Sequence, residues 1–283
     1  MAGGLLALLL PVALAGVFLV VYLLFPPPAV NVLILGMDAR PGEGFMARTD
    51  SVMVMGVKPS RLDISLLSIP RDLFVQTPGY GLQRVNTINM LGEQDAMGSG
   101  GRLAAQAVGE SLGIPLDRYI RINFEVFIDV VDALGGIDVE VPSLLIDYAY
   151  PVGGDETITV RFEPGWQHFD GWEALAYART RHADDDYRRA ARQQQVLMGI
   201  AQALLKPQNW PRLPAAAAAF FGGVDSNLTV LDWLTLAPPL VFDGATGAFQ
   251  RMVIDRDLIQ RSPEGYPIPN YAALAAWLDA NMR

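Results

Sequence analysis

Asp38 and Arg40 directly follow a short apolar run over residues 31–36, and Arg48 and Asp50 directly precede another over 52–57. Arg71 and Asp72 come just after a third, over 62–69, and Pro70. Two carboxylates close in space can share a hard divalent cation, while arginine guanidinium groups fork onto phosphate oxygens. Together these residue types describe a site for a pyrophosphate with Mg²⁺ or Mn²⁺. A second cluster lies in ARTRHADDDYRRAARQQ over 178–194. Arg179 and Arg181, two apart, point the same way if the chain is extended there. Arg189 and Gln193, four apart, share a face if it is helical, a spacing also common on solvated helices. Asp184, Asp185 and Asp186 have the composition of a metal cluster, but an acidic run just before a helix suits a capping role with charge matched to the helix dipole. We read Asp184 and Asp185 as cap residues and His182 as a bystander.

These residues need a scaffold that brings distant positions to one rim. The runs over 31–36, 52–57 and 62–69 read as buried strands, the last two a hairpin turning at Lys58-Pro59-Ser60-Arg61. Helical spacing follows over 102–112, a strand over 119–123, and a helix over 124–134 with Phe124, Phe127, Ile128 and Val131 on one face, stopped by Gly135-Gly136. That face reads as ordinary core. Further strands are expected over 137–141, 158–162 and 251–254, and helices over 171–178, 187–206, 215–221, 230–240 and 271–282. Strands and helices intermix without a repeat, so the expectation is an α/β fold: a three-layer α-β-α domain around a central mixed sheet. Strand ends in such sheets converge where ligands bind.

Composition narrows the chemistry. The 283 residues are 51% hydrophobic, enough for a large core, and the formal charge of −9 disfavours nucleic acid as a partner. There is no cysteine, which excludes disulfides, thiolate metal sites and thiol nucleophiles, and two histidines leave little room for a histidine triad. No GxxxxGK[ST], GxGxxG or GxSxG pattern occurs, so nucleotide kinase, dinucleotide enzyme and serine hydrolase lack their fingerprints.

The stretch over 3–25 carries no charge, and at about 1.5 Å per residue it reaches roughly 35 Å, enough to span a bilayer. The rival is a cleaved signal peptide at Ala13-Leu14-Ala15, but ten more apolar residues follow that site. The expectation is an uncleaved transmembrane helix with a Pro-rich spacer over 1–28 and one domain over 29–283. No Lys or Arg precedes the span, so charge does not set its orientation.

LGMDAR at 35–40, RTDS at 48–51, SIPRD at 68–72, VDALGGIDVEV at 131–141, GWQHFDGWEALAYARTR at 165–181 and DYRRAARQQ at 186–194 resemble, in order, the LytR-CpsA-Psr family of cell-wall ligases, with a weaker echo in VDSNLT at 224–229. The resemblance covers about 31–206. It implies a single-pass protein of the cell membrane, its domain on the extracytoplasmic face. That domain would move a glycopolymer of teichoic acid or capsule type from a polyprenyl-pyrophosphate carrier onto peptidoglycan, with an apolar pocket for the prenyl tail. Asp38 and Asp50 match the family's metal-site aspartates. Arg40, Arg48, Arg71, Arg179 and Arg181 match arginines around the pyrophosphate, and Arg189 and Gln193 match its closing helix motif. The expected catalytic set is therefore Arg71, Arg179, Arg181 and Asp50, with Arg40, Arg48, Arg84, Arg189 and Gln193 binding substrate. Arg84-Val85-Asn86 replaces the family's Lys-Ile-Asn, RTDS replaces RSDT, and the missing basic tail is the largest departure, compatible with a start further upstream. Two alternatives stand beside it: hydrolysis of the lipid pyrophosphate by water at the same site, and a non-catalytic membrane-anchored glycan-binding or regulatory protein.

Overall fold

A computed structural model describes residues 2–39, 44–153, 156–180 and 186–283, with side chains from residue 13 onward. Helix α1 (Ala2–Leu24) leads to three consecutive antiparallel strands, β1 (Val30–Met37), β2 (Thr49–Lys58) and β3 (Asp63–Ser68). The hairpin of β4 (Phe74–Thr77) and β5 (Gly81–Arg84) precedes α2 (Val85–Asp95) and α3 (Gly100–Leu112). Strand β6 (Arg118–Asn123) then returns parallel to β1 and turns directly into α4 (Phe124–Leu134). A flanking unit follows: β7 (Ile137–Val141), β8 (Leu145–Gly153), β9 (Glu156–Phe162), β10 (Gly165–Phe169) and α5 (Gly171–Arg179). The chain continues through α6 (Asp186–Leu205), α7 (Leu213–Gly223), β11 (Asp225–Ser226) and α8 (Val230–Thr246). It closes with β12 (Gln250–Val253), β13 (Ile259–Arg261), β14 (Pro267–Pro269) and α9 (Tyr271–Asn281).

The central sheet is mixed, as expected, and its strand order is β11-β6-β1-β2-β3-β12. Its inner strands are apolar on both faces because both faces are covered. Leu33, Leu35, Val52, Val54 and Leu67 pack against α2, α3 and α9, while Val32, Met53, Met55, Ile64 and Leu66 pack toward α6 and α8. A third core joins α4, α5 and the β7–β10 unit. Helices therefore lie on both faces of the sheet, the expected layering.

Several elements differ from expectation. The third strand starts at Asp63, because Leu62 adopts a left-handed conformation (φ 56°) after the turn at Pro59–Arg61. Strand β8 escapes sequence reading because Pro151 interrupts its pattern and its pairing with β9 shifts register twice. Helix α8 runs six residues past 240, through Pro238 and Pro239. Among the described residues no helix is long and apolar enough to cross a membrane. The part of α1 whose side chains are described, 13–24, rises about 18 Å against a hydrocarbon core of roughly 30 Å.

Candidate active site

The C-terminal ends of β1, β3 and β6 and the N-terminal end of β2 meet at one edge of the sheet. A β-bulge places the first carboxylate there. Gly36 pairs with Ser51 but Met37 pairs with Thr49, so Asp50 is the extra residue of the bulge and is aimed out of the regular ladder. Asp38 follows β1 at the same level, its N–H donating to Arg48 O at 3.1 Å. The parallel register sets Met37 beside Asn123, so Asp38 and Phe124 leave adjacent strands together.

Arginines reach these carboxylates from two directions. Arg71, just past β3, donates from Nη1 to Asp50 Oδ1 at 2.9 Å. Its backbone is held from below by α2, where Val85 N–H donates to Leu73 O and Asn86 N–H to Arg71 O. Arg179, the last residue of α5, lies 3.6 Å from Asp38 Oδ1, and its guanidinium sits 4.0 Å above the centre of the Phe124 ring. The Tyr150 ring flanks it at 5.9 Å, and Trp172 meets Tyr150 edge-on. Burial pushes the Tyr150 hydroxyl above its ordinary range, and the neighbouring Arg179 pulls against that shift.

Helix α5 is fixed at both ends. Asp170 and Glu173 form a reciprocal capping box, and Gly171 N–H donates to Asp132 of α4 at 2.7 Å. A Cβ on Gly171 would meet Ile128 O at 2.5 Å, so only glycine allows α4 and α5 to approach this closely. At the other end Arg192 of α6, buried, donates to Tyr177 O at 2.9 Å and to Thr180 O at 2.6 Å. Gln194 ties the same helix to the sheet through Ser68 Oγ and Met252 O.

Of the residues expected from sequence, Asp38, Asp50, Arg71 and Arg179 come together at this edge. Arg48 is exposed beside them, its carbonyl bonded to Asp38. Arg84 caps the start of α2, faces Asp72 at 3.8 Å and stacks on Phe74, one residue removed from Arg71. Arg189 is buried and pairs with Asp186 at 2.7 Å, and Gln193 is half-buried one turn further along α6. Arg40 and Arg181, like His182, Asp184 and Asp185, lie outside the described residues. Arg192, Gln194 and Phe124 are the residues that sequence reasoning missed as parts of this site. The first two stand in the same motif as Arg189 and Gln193, but spacing alone does not separate an inward face from an outward one.

The donor set suits a hard cation. Among the described residues no cluster of three or more His, Cys, Asp or Glu could hold a metal. Mg²⁺, however, commonly takes one or two carboxylates and completes its shell with phosphate oxygens and water. Thr49 Oγ1, fully buried beside Asp50, and Arg71 Nε have no hydrogen-bond partner among the described residues. Polar atoms left so are the exception in folded proteins and mark a place where a polar group belongs.

A cavity of about 430 Å³ lies on the α6–α8 side of the sheet and is lined wholly by apolar side chains, among them Ile34, Ile120, Leu197, Ile200, Phe220, Trp233, Leu236 and Phe249. Ile34 is four residues before Asp38 on β1, and Ile120 four before Phe124 on β6, so cavity and site are about 13 Å apart along the same strands. Leu197 is one turn beyond Gln193 on α6. Of the face anticipated on α4, Phe124 lies under Arg179, while the cavity is lined from α4 by Val130.

Residues 27–245 match the profile of the LytR_cpsA_psr family. The chain is 32% identical over 209 residues to the polyisoprenyl-teichoic acid–peptidoglycan teichoic acid transferase TagV of Bacillus subtilis, covering 73% of this chain and 51% of that protein. It is 33% identical over 211 residues to TagT of the same organism, covering 74% and 63%. It thus spans between half and two thirds of these relatives. The crystal structure of B. subtilis TagV aligns with a TM-score of 0.66 at 26% identity, over 89% of this chain and 96% of that one. TagT bound to LI-WTA aligns with a TM-score of 0.65 at 26% identity, over 90% of each.

Proposed function

Since the chain belongs to the LytR-CpsA-Psr family, we propose that it transfers a glycopolymer of teichoic acid or capsule type from a polyprenyl-pyrophosphate carrier onto peptidoglycan. It does so as a membrane-anchored phosphotransferase on the extracytoplasmic face. The observation that carries this reading is the pairing of two environments on the same elements. An edge with Arg71–Asp50 and Arg179–Asp38 pairs shares its strands with an apolar cavity about 13 Å away, which suits a substrate with a doubly charged pyrophosphate head and a long apolar tail. The names of the relatives describe the same kind of carrier and acceptor.

The pyrophosphate lies across Arg71 and Arg179, joined by Arg181, with Arg40, Arg48, Arg84, Arg189 and Gln193 around the sugar-phosphate and the closing helix. A peptidoglycan hydroxyl attacks the phosphorus that carries the glycan. The new P–O bond forms as the bridging P–O bond breaks, and polyprenyl phosphate leaves with the bond electrons. The hydroxyl proton passes to an acceptor on the open side of the site, where the Asp38 side chain is half exposed. Negative charge grows on the leaving and nonbridging oxygens, and the guanidinium groups stabilise it in position, which is most of what phosphoryl transfer requires. Asp38 and Asp50 would hold Mg²⁺ or Mn²⁺, which when bound neutralises further charge on the pyrophosphate.

The test measures polyprenyl phosphate release from a glycan-linked polyprenyl pyrophosphate by the full chain in detergent, with Mg²⁺ or EDTA and with or without peptidoglycan. Arg71→Ala, Arg179→Ala and Asp50→Ala are each expected to lower the rate by about 10²-fold or more. Release that survives all three substitutions would sink the site assignment. Release with no glycan on peptidoglycan would identify a hydrolase instead.

A further inference from the structure

Helix α8 is inverted for a surface helix. Its 17 residues include two charged side chains, Asp232 and Asp243, and both are buried. Asp232 accepts from Arg118 and Thr229, and Asp243 accepts from the Ile64 N–H. What α8 exposes instead is Val230, Leu231, Leu234, Ala237, Val241 and Phe242, an apolar stripe at helical spacing. The neighbouring α7 carries no charged residue and exposes Phe221, whose ring meets Trp233 of α8 at 5.5 Å. Single exposed apolar residues need no explanation, but a contiguous charge-free face marks an interaction surface.

The occupant is indicated by α1. Pro239 has no N–H, so it cannot serve the carbonyl of Thr235 four residues earlier. The Tyr22 hydroxyl of α1 donates to that carbonyl at 2.7 Å instead. Tyr22 is buried at 4% exposure, while its neighbours Val20, Val21, Leu23 and Leu24 remain exposed. The end of α1 is thus seated against the middle of α8, three residues before Phe25. Tyrosines near the ends of membrane helices stand at the level of the lipid headgroups. A bilayer that holds α1 therefore has its boundary at the level of Thr235.

We propose that the outer face of α8, with the end of α7, is embedded in the outer surface of the bilayer, its apolar side chains reaching about 5–10 Å past the headgroup boundary. The inference rests on the reading of α1 as a membrane anchor. Trp233, Leu236 and Leu240 line the apolar cavity from the inner side of the same helix, so α8 has lipid on one side and the cavity on the other. A prenyl chain then moves between bilayer and cavity without crossing water.

The chain lacks cysteine, so single-cysteine variants can carry a nitroxide label at one place. Leu234→Cys, Phe242→Cys and Glu110→Cys, the last exposed on α3 across the sheet, are prepared in the full chain. Each is reconstituted in phosphatidylcholine–phosphatidylglycerol vesicles and first checked for flotation. The labels at 234 and 242 are expected to collide with oxygen several-fold more often, and with a water-soluble nickel chelate several-fold less often, than the label at 110. Equal chelate access at all three positions in chains that float would overturn the proposal and leave the anchor intact. Spin–spin broadening at 234 that disappears on dilution with unlabelled chain would assign the face to a second copy and overturn it too. A chain that does not float would refute the anchor itself.

Discussion

Arg179 shows how much of a charged side chain's behaviour is set by what lies beneath it. Its charge faces Asp38 on one side, its plane rests on Phe124, and the helix that presents it is clamped by Arg192. A guanidinium over an aromatic face gains about 1 kcal/mol and, as important, one orientation. Phe124→Leu is therefore expected to slow transfer roughly fivefold with little change in Tm, the loss appearing in kcat more than in KM. An unchanged rate in steady-state kinetics would mean that Arg179 is held by its ion pair alone. Asp50 teaches the complementary lesson. Its side chain is in the site because a bulge at Gly36–Met37 puts it out of the ladder, a one-residue irregularity that apolar alternation does not announce.

At the scale of elements, β6 and α2 are held together by a buried charge network beside the site. Arg121 is 1% exposed and donates to Glu93 at 2.5 Å, to Asn89 at 2.9 Å and to Asp225 at 2.7 Å, with the Phe45 ring at 4.6 Å. Asn89 in turn donates to the carbonyls of Phe45 and Ala47, which fixes the approach to Arg48 and Asp50. Burial by itself would push the Glu93 carboxyl up, but the N–H groups of Gly98 and Gly100 and the Arg121 guanidinium outweigh it and hold the group below its usual range. A carboxyl depressed in the folded state stabilises the fold fully above its unfolded pKa of about 4.3, and that contribution is lost as pH falls through the lower folded value. Unfolding followed by circular dichroism is expected to show a steep loss of stability below about pH 4. Glu93→Gln is expected to be less stable at neutral pH and to flatten that acid limb. An equally steep limb in the variant would place the acid sensitivity elsewhere.

For the whole molecule, the proposed function makes the distance between the cavity and the charged edge the measure of which part of a lipid-linked substrate the fold would hold. Ala217 lines the cavity from α7 and is itself exposed, so a larger side chain there can enter the cavity without a compressed core. Ala217→Trp is expected to raise KM for a long polyprenyl carrier while leaving a short-chain analogue and Tm nearly unchanged. Identical KM shifts for both carriers would show that the cavity does not hold the tail.

The sequence by itself determined the local chemistry and the alternation of elements. Apolar runs such as 31–36 and 52–57 read as buried strands, Gly135-Gly136 stops a helix, and the blocks around Asp38, Asp50, Arg71 and Arg179 carry the family resemblance in order. These properties depend on neighbours in the chain, and pattern reading sees neighbours. The tertiary structure alone decided that Asp50 is aimed by a bulge, that Phe124 lies under an arginine, that Arg192 clamps the end of α5 while Arg189 pairs with Asp186, and that α8 turns its two aspartates in and Leu231, Leu234 and Phe242 out. Each depends on which face of an element meets which partner. That is fixed by sheet register and by contacts between residues more than two hundred positions apart, as between Tyr22 and Thr235.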